Sequence, residues 1–178
     1  MRGWAPLAAA VAWLTACAPL PESYPVPEQR SVKDGPEPEP LQAFVSFSDA
    51  RSPDYVVSGF LPAAPDSFWR WATTSPTVRV RVSENTGLRL RVNFAFPEES
   101  HTPLLPITVK YFVNDHLLEA VIYRRAGMLE YRRPVPAEWL LVDADNLLRC
   151  EIEPVYIAKA DLVKLSMIVS EIGLERDK

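Results

Sequence analysis

Two stretches with strictly alternating apolar residues decide the fold: Thr77-Val78-Arg79-Val80-Arg81-Val82 and Leu88-Arg89-Leu90-Arg91-Val92-Asn93-Phe94-Ala95-Phe96. A period of two places apolar side chains on one face of a strand and polar side chains on the other. Between the stretches lies Glu84-Asn85-Thr86-Gly87, whose glycine can adopt a positive φ. The pattern predicts an antiparallel hairpin with its valines and leucines buried on a shared face.

Short segments of the same kind recur along the rest of the chain, with turn residues between them. Further strands are predicted at 44–47, 55–60, 67–72, 107–113, 117–123, 128–132, 147–152 and 164–174, and a single helical turn at 136–141. This spacing is typical of all-β domains. We therefore predict an antiparallel β-sandwich over residues 41–178, long enough to bury a core without disulfides.

Residues 1–16 have the layout of a secretory signal peptide. Arg2 precedes an apolar stretch from Trp4 to Thr15, and small residues follow. As a helix this stretch would span about 20 Å, short of the roughly 30 Å of a bilayer core. We expect a cleaved export signal; the alternative is an uncleaved anchor.

The end of this segment reads Leu14-Thr15-Ala16-Cys17 and resembles the bacterial lipobox. The resemblance implies cleavage before Cys17 and attachment of lipid to its thiol. Ala18 follows where Asp would signal inner-membrane retention, so the resemblance implies the outer membrane of a double-membrane host. The alternative is an ordinary signal peptide with an incidental cysteine.

The lipidated cysteine would begin a proline-rich tether over residues 17–40. Seven prolines occur between Ala18 and Pro40, separated mostly by polar residues. Proline lacks a backbone donor and favours the extended polyproline II conformation, so no core can form there. We predict a disordered spacer that holds the domain away from the membrane.

Composition excludes several classes of protein. Without residues 1–16 the chain has 18 basic and 23 acidic side chains, whereas a nucleic-acid binder needs clustered cations. Cys150 is the only cysteine besides Cys17 and lies on the apolar side of an alternating strand. We expect a buried structural thiol rather than a reactive or dimer-forming one.

Several short motifs resemble the jelly-roll, galactose-binding-like domains of bacterial envelope and glycan-associated proteins. They are Gly59-Phe60, Phe68-Trp69-Arg70-Trp71, Val113-Asn114-Asp115, Val135-Pro136, Asp161 and Ile172-Gly173-Leu174. Val163-Lys164-Leu165-Ser166 departs from the R-x-L-G of those domains. The resemblance implies the fold of carbohydrate-binding modules, and such folds host several functions.

Metal and acid–base chemistry find little support. His101 and His116 fall in separate predicted loops without another ligand at metal-binding spacing. The turn Asp143-Ala144-Asp145-Asn146 could hold calcium, but the EF-hand pattern fails because Pro154 occupies position twelve. A solvated Asx turn is the favoured interpretation. No nucleophile motif or phosphate-binding loop is present, and we predict no cofactor and no metal.

Four arginines form the first candidate ligand-binding set. In the predicted hairpin Arg79, Arg81, Arg89 and Arg91 share the face opposite the core. Like charges on adjacent strands repel, so something should compensate them. One interpretation is a neighbouring strand that supplies Glu151 and Glu153; the other is a basic patch for an anionic polysaccharide, a lipid headgroup or an acidic partner.

Trp69 and Trp71 form the second candidate set. They flank Arg70 with a period of two, so both rings should point one way while Phe68 and Arg70 point the other. Exposed rings would offer a surface on which sugars stack, whereas buried rings would belong to the core, which is the commoner case.

The sequence favours a non-catalytic, lipid-anchored β-sandwich that binds envelope or extracellular glycan or the machinery that handles it. The alternative is an assembly lipoprotein of an outer-membrane or secretion complex that binds no sugar. A hydrolase with paired carboxylates is the third hypothesis.

Overall fold

The computed structural model describes residues 40–64 and 67–176. The predicted signal peptide, Cys17 and the tether up to residue 39 lie outside these residues. Strands dominate the described part of the chain, so the all-β prediction is confirmed. The helices there are all too short to cross a membrane.

The described elements are short helices and strands of two to twelve residues. The strands are β1 (Phe44–Ser46), β2 (Val56–Phe60), β3 (Arg70–Arg81), β4 (Leu88–Phe96), β5 (Ile107–Val113), β6 (His116–Tyr123), β7 (Gly127–Pro134), β8 (Asp145–Glu153), β9 (Tyr156–Ile157), β10 (Lys164–Leu165) and β11 (Met167–Arg176). The α-helices are α1 (Ser52–Tyr55) and α2 (Glu98–His101), and 3-10 turns lie at Thr102–Leu104 and Ala137–Trp139.

The strands form the two antiparallel layers of a β-sandwich. The first layer consists of β6, β5, β8, the second part of β3 and β2. In the second layer β1 and the first part of β3 lie along β11, followed by β4 and β7. The layers meet face to face, as shown by Tyr111 of β5 and Tyr131 of β7, whose ring centroids are 3.6 Å apart.

Strand β3 belongs to both layers. Its residues 70–72 pair with β11, and its residues 77–81 pair with β8. Residues 73–76 cross between the layers, and β2 approaches this crossing closely at Gly59. That glycine has a φ of +77°, and a Cβ there would lie 2.4 Å from the carbonyl oxygen of Ser75. The crossing therefore joins the two layers into one hydrogen-bonded path.

The hairpin predicted from residues 77–96 is wrong. β3 pairs with β2, β8 and β11, and β4 pairs with β11 and β7, so the two predicted partners lie in different layers. Their alternating residues are buried as expected, but from opposite sides of the core. Alternation reports which face is buried and not which strand lies alongside. Gly87 does adopt a positive φ, of 69°.

The hairpin of β5 and β6 is present where the sequence predicted these strands. Asn114 and Asp115 both have positive φ, as a tight two-residue turn requires. The Asn114 side chain donates to the carbonyl of Trp139 at 2.7 Å and to Oδ1 of the fully buried Asn146 at 2.8 Å. These bonds fix the turn against the 3-10 segment that follows β7.

Most other predicted strands are found with small changes of boundary. The strand expected at 67–72 begins at Arg70, and the strand expected at 164–174 is divided by Ser166 into β10 and β11. The helical turn at 136–141 is a 3-10 turn. Helices α1 and α2 were not predicted, because four residues are too few to show a helical period.

Candidate functional site

The four candidate arginines do not share a face. Arg79 and Arg81 lie on β3 in the first layer, whereas Arg89 and Arg91 lie on β4 in the second. On β3 the neighbouring strand compensates the charge, since Asp145 lies 2.7 Å from Arg81 and 3.9 Å from Arg79. A neighbouring strand was expected to supply carboxylates, but Glu151 and Glu153 were the wrong choice.

Arg91 is also neutralised within its own layer. Its guanidinium lies 2.9 Å from both Glu171 and Glu175 of β11 and stacks over the ring of Phe44 at 4.6 Å. Strand β11 lies between the first part of β3 and β4. The predicted hairpin had placed β3 and β4 side by side, with no strand between them. Arg79, Arg81 and Arg91 are therefore paired with carboxylates, and the four arginines do not form the shared basic patch that was one of the two interpretations of the sequence.

The two tryptophans, whose rings were expected to point the same way, contact each other. The ring centroids of Trp69 and Trp71 are 6.4 Å apart in an edge-to-face arrangement, and Trp71 also stacks on His101. Both rings are half-buried, which is intermediate between the exposed and the buried position that the sequence left open. Phe68 and Arg70 do not share a side: Arg70 is buried and Phe68 is 66% exposed. The alternation fails at Phe68 because β3 begins only at Arg70.

Trp71 begins an apolar row on the outer face of the second layer. The cross-strand register places it opposite Ile168, Ile168 opposite Ala95, and Ala95 opposite Met128. Met128 is 87% exposed, although a methionine usually lies in a core. The row therefore ends in a large apolar side chain that contributes little to the core.

A cleft lies beside this row, with apolar walls and a polar floor. Its volume is about 340 Å³, within the usual range for small-ligand sites. Phe68 and Met128 are its two large apolar side chains. Its remaining lining residues are Ser46, Ser48, Asn93, Ser170 and Glu171. We call this feature the Phe68 cleft.

A β-bulge in β11 builds the floor of the Phe68 cleft. Val169 pairs with Phe94 and Glu171 pairs with Asn93, so Ser170 is the extra residue. A bulge brings two successive side chains toward one face, and here both Ser170 and Glu171 line the cleft. The Ser170 hydroxyl donates to the backbone carbonyl of Asn93 at 3.2 Å.

The floor is held in place by hydrogen bonds before any ligand binds. One carboxylate oxygen of Glu171 accepts from Asn93 at 2.7 Å and from Arg91 at 2.9 Å. The hydroxyls of Ser46 and Ser48 bond to each other at 2.8 Å. The cleft thus combines fixed hydroxyl, amide and carboxylate groups with an exposed aromatic ring, which suits a ligand that has both C–H faces and hydroxyl groups.

Sequence reasoning missed the residues of this cleft. Met128 could have been found, because in β7 it alternates outward with Glu130 and Arg132 while Leu129 and Tyr131 point inward. Phe68 could not, because β3 begins only at Arg70, and Phe68 therefore does not follow the alternation predicted for residues 67–72. The bulge at Ser170 left no signal in the alternation of β11, since it depends on the register with β4.

The two histidines lie in secondary structure rather than in loops. His101 is fully buried in α2, where burial lowers its pKa and backbone groups of Ser166 and Pro97 oppose this shift. His116 is the first residue of β6 and stacks on Trp139. Across residues 40–64 and 67–176, no three His, Cys, Asp or Glu side chains are grouped to hold a metal ion.

Cys150 is buried, as the sequence predicted. Removal from water raises the pKa of its thiol to about 12, against a smaller opposing effect of Arg149. The thiol is therefore protonated and unreactive at neutral pH.

No family model matches the sequence, and no curated protein matches it. Among solved structures, the chain is similar to a family 35 carbohydrate-binding module from an environmental isolate. The two are 11% identical, and the match covers 69% of this chain and 80% of that one with a TM-score of 0.36. It is also similar to a family GH115 4-O-methyl-alpha-glucuronidase with specificity for decorated arabinogalactans. That match is 9% identical and covers 69% of this chain but only 17% of the enzyme, with a TM-score of 0.37.

Proposed function

We propose that this domain is a non-catalytic module that binds glycan in the Phe68 cleft. The observation that carries the proposal is the 66% exposure of Phe68 beside a floor of fixed polar groups. Sugar rings present C–H faces that pack on aromatic rings and hydroxyls that bond to amides and carboxylates. We further propose that lipid on Cys17 anchors the protein to the outer membrane, on the evidence of the sequence alone.

The Phe68 cleft suits binding better than hydrolysis. Glycoside hydrolysis generally needs two carboxyl groups about 5 to 10 Å apart. The described residues that line the cleft include one carboxylate, Glu171, and Arg91 and Asn93 already hold it. A hydrogen-bonded carboxylate is well placed to accept from a sugar hydroxyl.

The cleft favours neutral glycan over acidic glycan. An acidic sugar would bring its carboxylate close to Glu171, and the cationic arginine beside that residue is already paired. Binding should depend on packing against Phe68 and Met128 and on uncharged hydrogen bonds. We therefore expect affinity that changes little with salt, since screening acts on separated charges.

The test is binding of the chain from Ala18 onward to a panel of neutral and acidic bacterial polysaccharides at low and high salt. We expect a neutral polysaccharide to bind. Phe68→Ala should weaken that binding about tenfold, equivalent to roughly 1.4 kcal/mol. Val57→Ala is the matched control, because Val57 is 51% exposed on β2 and does not line the cleft.

Three results would argue against the proposal. Equal affinity of Phe68→Ala and the parent chain would remove the cleft from the binding site. Binding that fades with salt would point to charged residues instead. Absence of binding to every glycan would favour the assembly role, which pull-down from solubilised membranes would then examine.

A further inference from the structure

A second cavity lies in the first layer, where β3 leaves it. β8 pairs with β3 only from Asp145 to Arg149, and the crossing at residues 73–76 carries β3 away. On that side, residues 150–153 of β8 have no strand partner in the part of the chain that the structure describes. A groove of about 790 Å³ occupies this position, and we call it the β8 groove.

The walls of the β8 groove come from four elements. Thr74 and Ser75 of the crossing lie on one side, and Thr108 and Lys110 of β5 on the other. The β9–β10 hairpin supplies the remaining wall. Its lining residues include Ile157 and Lys164. Even Ile152, whose side chain points toward the core, lines the groove, because the layer is open beside β8.

The charged side chains of this groove differ in whether they are paired. Glu151 contacts Arg149 and lies 3.9 Å from Lys110. Glu153 and Lys164, in contrast, have no ion-pair or hydrogen-bond partner within residues 40–64 and 67–176, and both side chains are exposed. The groove thus offers one carboxylate and one ammonium group to a ligand.

We propose that the β8 groove binds a short extended peptide carrying a free amino group and a free carboxylate. An unpaired strand edge is a recognised acceptor for an added peptide strand, through main-chain hydrogen bonds. Four residues of β8 at about 3.4 Å each give an edge of roughly 13 Å, which fits a peptide of about four residues. Glu153 would pair with the amino group and Lys164 with the carboxylate.

The test uses tetra-alanine as the probe, with its N-acetylated and C-amidated forms, and the chain from Ala18 onward. Binding is followed by the NMR shifts of the backbone amides of Ser75, Ile152 and Glu153. We expect millimolar binding of tetra-alanine, weakened about two- to fivefold by acetylation or amidation, as for exposed ion pairs. Glu153→Gln should weaken the binding of tetra-alanine by the same factor but leave the affinity for the acetylated peptide unchanged. Lys164→Ala should likewise weaken the binding of tetra-alanine but leave the affinity for the amidated peptide unchanged.

Glu130→Gln is the matched control, since Glu130 is an exposed glutamate on β7 in the other layer. It should leave all three affinities unchanged. The proposal is overturned if the three amides do not respond to tetra-alanine, or if blocking either terminus has no effect. Glycan binding in the Phe68 cleft is measured separately and can fail or succeed whatever this groove does.

Discussion

At the scale of single residues, His101 shows how a polar side chain is accommodated in the core. Its ring lies between Trp71 and Phe96, with centroids 6.3 and 5.7 Å away, and Tyr156 lies at 6.1 Å. Nδ1 hydrogen-bonds to the hydroxyl of Ser100 at 2.7 Å, and Nε2 has no hydrogen-bond partner among the described residues. A proton on Nε2 would be buried without an acceptor, so the neutral ring is favoured.

This burial predicts acid sensitivity. Because burial lowers the pKa of His101 below its ordinary value of 6.5, the unfolded state binds more protons as the pH falls below 6.5. The free energy of unfolding should then decrease by at most about 1.4 kcal/mol per pH unit until the folded-state pKa is passed. Urea unfolding above and below pH 6.5 measures the effect.

His101→Phe should abolish this part of the pH dependence, because a phenyl ring can occupy the aromatic cage and does not titrate. His116→Gln is the control and should retain it, since His116 is exposed at the start of β6. If the two variants show the same pH dependence as the parent chain, the assignment to His101 is wrong.

The residue scale also shows what sequence patterns could and could not provide. The alternation correctly placed Val78, Val80 and Cys150 in the core, since burial depends on which way a side chain points. It could not place Arg79 relative to Arg91, because their separation depends on which strands are neighbours. The Phe68 cleft was missed for the same reason, because its floor is assembled from β1, β4 and β11.

At the scale of elements, the crossing of β3 determines where the β8 groove lies. Where residues 73–76 change layers, β3 leaves the β8 groove open, and residues 70–72 then continue beside β11. The crossing is fixed from both sides: Ser166 donates to the carbonyl of Thr73 at 2.5 Å, and Thr73 donates to the carbonyl of Gly59 at 3.2 Å. In the sequence, Ser75-Pro76 interrupts the alternation of apolar residues between 70 and 81. Nothing in that pattern indicated that a single strand pairs in both layers.

The packing of β2 against this crossing can be tested with two glycines. Gly59 and Gly87 both have positive φ, but a Cβ at Gly59 would meet Ser75 and Pro76 below 3 Å, whereas one at Gly87 meets nothing within 4 Å. Gly87→Ala should therefore lower the free energy of unfolding only by the cost of holding an alanine at positive φ, about 1–2 kcal/mol. Gly59→Ala should cost about 1–3 kcal/mol more, because backbone must move.

Urea unfolding of both variants gives the two free energies. Similar losses for Gly59→Ala and Gly87→Ala would show that β2 does not approach the crossing as closely as described.

At the scale of the whole molecule, the Phe68 cleft and the β8 groove lie on different layers of the sandwich. The Phe68 cleft lies on the outer face of the layer that contains β4, β7 and β11, and the β8 groove lies in the other layer. The sequence predicted the sandwich because the number and spacing of its strands suffice for that inference. The order of the strands depends on contacts between distant segments, which no local pattern reports.

The proposed anchor belongs to this scale, since it decides where the domain acts. Cys17→Ala should release the protein from the membranes of a host that lipidates proteins and should abolish labelling by a fatty-acid probe. Such a probe would report every fatty-acid chain attached at Cys17, and a single chain gives only marginal anchoring. Labelling that survives the substitution would show that Cys17 is not the lipid-bearing residue.

The most direct test of the central claim is methyl NMR of the chain from Ala18 onward with labelled methionines, titrated with oligosaccharides of the polysaccharide that binds. Two methionines remain in this chain: Met128, which is 87% exposed at the Phe68 cleft, and Met167, which is fully buried. We predict a saturable shift of the Met128 methyl signal while that of Met167 stays in place. Saturable glycan binding with no change at Met128 would contradict the account.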